Sequence, residues 1–182
     1  MGKIKRRLAF FTIPEYKKEE EWLKEQHKAG LKLVKATIPC FYTFEECEAE
    51  DVVYQLDYNE EGMKNKAEYV KMYEDCGWEY IIDMAGYSYF RKPVSEMDGE
   101  EEIFSDDESK MDMIERVFKG RMIPLISIFL GLIIPQMIMQ FSMGEPENLV
   151  LFGVFVLMFA LYLTVFIKFG ICYARLKKGA KK

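Results

Sequence analysis

Residues 122–143 read MIPLISIFLGLIIPQMIMQFSM and residues 149–167 read LVLFGVFVLMFALYLTVFI. Neither run carries a charged side chain, and GEPEN, residues 144–148, separates them. A helix needs ~20 apolar residues to cross the ~30 Å hydrocarbon core of a bilayer. Backbone amides in hydrocarbon find no water, so each run has to close its hydrogen bonds within a helix. The reading is a transmembrane helical hairpin over 121–182, with its turn outside the hydrocarbon. The residues before it are strongly charged and read as a water-soluble domain.

The chain has 182 residues, room for one soluble domain beside the hairpin. Its net charge of −5 conceals a split, because residues 121–182 hold seven Lys/Arg and two Glu, a net of +5, and residues 1–120 therefore carry −10. An acidic domain is repelled by phosphate, so no direct nucleic-acid partner is expected. Lys119 and Arg121 precede the first run, Lys168 to Lys182 follow the second, and the turn has neither Lys nor Arg. The positive-inside bias then sets both termini in the cytoplasm, for a two-span, multi-pass protein of the cell membrane. No cleavable signal peptide is read, because Leu8–Ile13 is too short an apolar region. Met1-Gly2-Lys3-Ile4-Lys5-Arg6 lacks the Ser or Thr that N-myristoylation wants.

The soluble part reads as a β-α-β-β unit met twice. Lys3–Phe11 alternates as a strand, with Ile4, Leu8 and Phe10 on one face with Arg6. Thr12 and Glu15 have capping-box spacing and open a helix that ends at Gly30. Leu31–Ile38 and Phe41–Glu46 follow as strands broken by Pro39. Val52–Tyr58 then alternates, Asn59–Lys64 is a loop, Asn65 with Glu68 caps a second helix, and Gly77 ends it. Trp78–Met84 and Tyr87–Arg91 are strands joined by an Ala85-Gly86 turn. The two halves match locally, Ala29-Gly30-Leu31-Lys32-Leu33 against Cys76-Gly77-Trp78-Glu79-Tyr80. The expected fold class is α+β: a ferredoxin-like duplicated domain, one antiparallel sheet with both helices on one face, followed by the two-helix hairpin. The other face of that sheet would carry some of the many Tyr and Phe, as ordinary core or as a surface for a partner or ligand.

Residues 1–93 thus form the α+β domain, and 94–120 are an acidic linker with a juxtamembrane helix opened by Ser105-Asp106-Asp107-Glu108. Residues 121–182 are the hairpin with its basic tail. Pro135 is expected to kink the first span, and Gly153 and Ala160 are small enough to pack a neighbouring helix.

No site is expected for catalysis, for a cofactor or for a metal. His27, the sole histidine, reads as a surface residue among Lys and Glu. Cys40, Cys47, Cys76 and Cys172 lack metal-ligand spacing and read as reduced thiols. No phosphate loop, dinucleotide fingerprint, nucleophile elbow or zinc motif is present. No Asp, Glu or His lies within the apolar runs, so an ion pathway is not supported.

The ordered series Glu21-Trp22-Leu23, Tyr42-Thr43-Phe44, Tyr54-Gln55-Leu56-Asp57-Tyr58, Glu74-Asp75-Cys76-Gly77-Trp78-Glu79-Tyr80, Tyr89-Phe90-Arg91-Lys92-Pro93 and Ile103-Phe104-Ser105-Asp106-Asp107-Glu108 resembles bacterial domain-of-unknown-function family 2812. The resemblance covers roughly residues 5–120. It implies C-terminal membrane spans, a gene neighbourhood shared with PadR-type transcriptional repressors, and a regulatory or sensing role. It brings no catalytic residue. The function expected first is a non-enzymatic membrane-anchored protein. Its cytoplasmic domain binds a ligand or a protein partner, such as a transcriptional regulator or a membrane subunit, in regulation or envelope sensing. The alternative is an accessory or immunity subunit of a membrane transporter. An enzyme would require a buried, pKa-shifted carboxylate lining a deep pocket.

Overall fold

The computed structural model describes residues 2–58, 65–97, 107–143 and 146–179. The Asn59–Lys64 loop, residues 98–106 of the linker with Ser105 and Asp106 of the expected helix start, and residues 144–145 of the expected turn lie outside them. The chain divides into two compact units, residues 1–113 and 114–182.

The first unit follows the β-α-β-β order twice: β1 (Ile4–Leu8), α1 (Tyr16–Lys28), β2 (Leu31–Thr37), β3 (Phe41–Glu46), then β4 (Val52–Tyr58), α2 (Lys66–Glu74), β5 (Glu79–Met84), β6 (Tyr87–Pro93). The strands form two three-stranded antiparallel sheets, β1-β3-β2 and β4-β6-β5, one for each half. The single sheet expected from the sequence is thus divided, and the third strand of each half takes the centre. Both helices end on a glycine in the left-handed region, Gly30 at φ +79 and Gly77 at φ +80. Both following strands shift register at the same place, between Leu33 and Lys35 and between Tyr80 and Ile82. Val34 and Ile81, the residues passed over, each stand four after the helix-ending glycine. Equal bulges at equal positions extend the local match between the two halves from sequence to structure.

The helices do not share one face. Tyr54, Leu56 and Tyr58 alternate along β4 with Val53, Gln55 and Asp57. α1 meets the first set, with His27 bonded to Tyr54 and Glu19 to Tyr89. α2 meets the second, with Tyr69 and Tyr73 bonded to Asp57 and packed on Phe90. The second sheet is therefore covered on both faces, which is why nearly every residue of β4 is buried. α1 also packs on the first sheet, where Trp22 lies against Tyr42 and Phe44. Its Leu23 is fully buried.

Glu15 accepts the Thr12 backbone N–H at 3.0 Å, completing the first expected cap. The second is different: the Asn65 side chain makes no cap bond.

Two helical runs are long and apolar enough to cross a membrane, Ser109–Ser142, which begins just before the second unit, and Leu149–Arg175 within it. The first comprises α3 (Asp107–Val117), α4 (Ile123–Ile128) and α5 (Ile134–Met143), joined by π-helical turns at Phe118–Met122 and Phe129–Ile133. The second is α6 (Pro146–Gly179). Each π turn precedes a proline whose fourth residue back is a glycine, Gly120 before Pro124 and Gly131 before Pro135. A proline ring collides with the carbonyl four residues back, and a wider turn opens that spacing. Aromatic contacts join the runs antiparallel: Phe118 with Phe169, Phe129 with Phe159, Tyr162 and Phe166, and Phe141 with Phe152.

Candidate functional site

α1 brings its polar residues into the core at helical spacing. Tyr16, Glu19, Glu20, Leu23, Gln26 and His27 form one buried stripe. Glu19 accepts a hydrogen bond from Tyr42 Oη of the first sheet at 2.7 Å and from Tyr89 Oη of the second at 2.5 Å. One carboxylate thus ties the two sheets together. Burial raises its pKa above the usual carboxylate range, opposed by those two hydroxyls. Glu20 accepts the backbone N–H of Leu56 at 2.8 Å. Asp57 repeats the arrangement on the far side of the second sheet, accepting Tyr69 Oη at 2.8 Å and Tyr73 Oη at 3.1 Å.

At the C-terminal end of α1 the chain opens into a cleft of about 260 Å³, lined by His27, Lys32, Cys47, Glu50, Glu79 and Arg91 among others. Behind it stands Tyr54, 2 % exposed. Tyr54 Oη lies 2.8 Å from His27 Nδ1 and accepts the Leu33 N–H at 3.3 Å. One proton is shared across the Tyr54–His27 contact, in a direction set by the imidazole tautomer. Burial first, then the positive charges of Arg91 and Lys32, depress the His27 pKa to about 4; Glu79 opposes them. The ring is neutral over the physiological range.

Arg91 comes from β6 and is held by Glu79 of β5 through two bonds, Nε at 2.6 Å and Nη2 at 2.7 Å. Its guanidinium side is largely buried while Glu79 is mostly exposed. Lys32 pairs with Glu45 at 3.2 Å. The cleft lining therefore combines a neutral imidazole, two cations that are each ion-paired, and three carboxylates, Glu48, Glu50 and Glu79. A small polar molecule can engage it through Arg91 only by displacing the exposed Glu79 carboxylate.

His27, read from sequence as a surface residue, is 4 % exposed. The reason is spacing: it follows the core residue Leu23 by one helical turn. Glu19 carried the same signal, lying three residues after Tyr16 and four before Leu23, although its charge spoke for solvent. Tyr54, Glu79 and Arg91 join the cleft from three strands, and no local motif announces them. Tyr42, Tyr54, Tyr58, Tyr87 and Tyr89 prove to be buried core. Cys47 borders the cleft, whereas Cys76 is exposed. Among the described residues no group of three or more His, Cys, Asp or Glu is arranged to hold a metal ion.

The family described as "Protein of unknown function (DUF2812)" matches residues 15–126, from the end of the α1 cap into α4. No curated protein and no solved structure matches the chain.

Proposed function

This chain belongs to the DUF2812 family, and we propose that it is a non-enzymatic, membrane-anchored binding protein whose soluble unit captures a small polar ligand in the His27–Arg91 cleft. The observation that carries the reading is the cleft itself. Its imidazole is locked by Tyr54, and its guanidinium is held by a carboxylate that a ligand can replace. A buried, pKa-raised carboxylate does exist in Glu19, but it is not among the cleft-lining residues. That separation favours binding over turnover.

The two helical runs serve as the anchor. Their outward side chains, among them Leu130, Leu132, Ile138, Phe141, Leu151 and Leu157, are largely exposed. A continuous apolar surface of this kind is at home in hydrocarbon. The charge split supports a cytoplasmic side for both ends. The output proposed from the family resemblance is control of a PadR-type repressor, a basic DNA-binding partner for which the acidic unit is suited.

The transporter-subunit alternative keeps one observation in its favour. A Cβ added at Gly153 would meet no atom within 4 Å, so that position is free to receive a foreign helix.

The test uses the full chain in detergent with a panel of small carboxylates and phosphates, read by thermal shift. A ligand that raises Tm for the wild type and fails with R91Q and H27A supports the cleft. Equal shifts in wild type and both variants would overturn it. Loss of function in cells on G153L, with R91Q unaffected, would favour the transporter subunit.

A further inference from the structure

We infer that one end of the first sheet docks onto the anionic phospholipid surface of the bilayer. The inference rests on the anchoring proposed above. Leu8 is 68 % exposed, Phe10 71 %, Ile38 64 % and Phe41 49 %. The pairing gathers them. Leu8 stands opposite Phe41, Phe41 opposite Thr37, and the Ala9 N–H bonds Cys40 O at 3.1 Å. Strand alternation puts Ile4, Arg6 and Leu8 on the face with Phe41 and away from the buried Tyr42 and Phe44. The result is an apolar tip at the β2–β3 turn.

Charge identifies the occupant. Arg6 and Lys35 both pair with Thr43 on that same face, Arg7 adjoins Leu8, and all three are exposed, while Lys5 lies further along β1 in an ion pair with Glu46 at 2.9 Å. Residues 1–11 carry +4 with no acid, while residues 12–120 carry −14. Basic charge is concentrated on the element that also exposes large apolar groups, in a domain that is otherwise acidic. Cations over anionic headgroups with apolar side chains entering the acyl boundary is the arrangement of an interfacial membrane contact. A second copy is a poor occupant: β1 laid antiparallel on another β1 would set these cations against their own copies.

The test uses the full chain in nanodiscs of phosphatidylcholine alone or with phosphatidylglycerol. An environment-sensitive NBD label is placed by F10C, with the four native cysteines replaced by serine. Docking predicts a blue-shifted emission, quenched by brominated acyl chains, when phosphatidylglycerol is present. The signal is lost in phosphatidylcholine alone and in R6Q/R7Q/K35Q, whose far-ultraviolet circular dichroism matches the parent. Water-like emission in every lipid would overturn the docking. So would a shift that persists in detergent and grows with protein concentration, which would assign the tip to a second copy. A chain stripped from vesicles by alkaline carbonate would overturn the anchoring instead, a separate readout.

Discussion

Glu19 shows how much one atom can hold. Its Oε1 receives a tyrosine from each sheet, so removing it leaves two hydroxyls, on Tyr42 and Tyr89, buried without their acceptor. Hydrogen bonds to charged groups contribute about 1.5–3 kcal/mol each, so E19A is expected to lose about 3 kcal/mol or more in denaturant titrations. Y42F and Y89F should each lose less, and their effects should fall sharply once E19A is present. Additive losses would mean that the carboxylate does not join the sheets. His27 answers to pH in a definite direction. Its folded pKa is depressed to about 4 from 6.5. Above pH 6.5 folded and unfolded chains bind the same number of protons at this residue. Between 6.5 and about 4 only the unfolded chain takes one up, so stability falls as pH falls through that window. The shift corresponds to about 3 kcal/mol. H27Q should flatten the wild-type decline of Tm between pH 6.5 and 4. A slope equal to wild type would show that the buried ring is not its source.

At the scale of elements, the local signals were readable because each lives within a few residues. The glycines that end α1 and α2, the Pro39 break and the alternation of β4 all act on their own neighbours. Ala85 and Gly86, at φ 53 and 83, form the tight hairpin turn expected there. What stayed hidden needs two elements at once. The division into two sheets and the placement of α1 and α2 on opposite faces depend on which side chains meet across the chain. Alternation in β4 says that two faces exist, not that both are buried. The two terminating glycines now separate by their surroundings. A Cβ on Gly30 would come within 3.0 Å of the Cys47 backbone oxygen, whereas one on Gly77 would meet the flexible end of Lys92 at 3.3 Å. Both substitutions carry the left-handed penalty of about 1 kcal/mol. G30A alone also pushes on backbone that cannot yield, because the Cys47 N–H is bonded to Gly30 O at 3.0 Å. G30A should therefore lower Tm clearly more than G77A, and equal losses would refute the crowding.

The molecule as a whole is arranged by charge and hydropathy, and at this scale the sequence speaks most directly. Apolar runs and charge totals need no tertiary contacts to be read, whereas the cleft draws His27, Lys32, Cys47, Glu79 and Arg91 from five separate places in the chain. The same charge pattern predicts an orientation. Basic residues flank both apolar runs and avoid residues 144–148, so the turn should cross to the outside while the soluble unit and the tail stay within. Cys76 is exposed on the first unit and would report which side of a membrane that unit occupies. In intact cells a membrane-impermeant maleimide should label N148C, in a background with the other cysteines replaced, and leave a chain carrying only Cys76 unlabelled until the cells are opened. Moving positive charge should move the outcome. Lys or Arg introduced at positions 145 and 147 places cations at the turn and opposes the flanking bias, so labelling of N148C should drop. Labelling of Cys76 in intact cells would reverse the orientation and move the cleft outside. The ligand would then be sampled from the medium, and a repressor could no longer reach the domain directly.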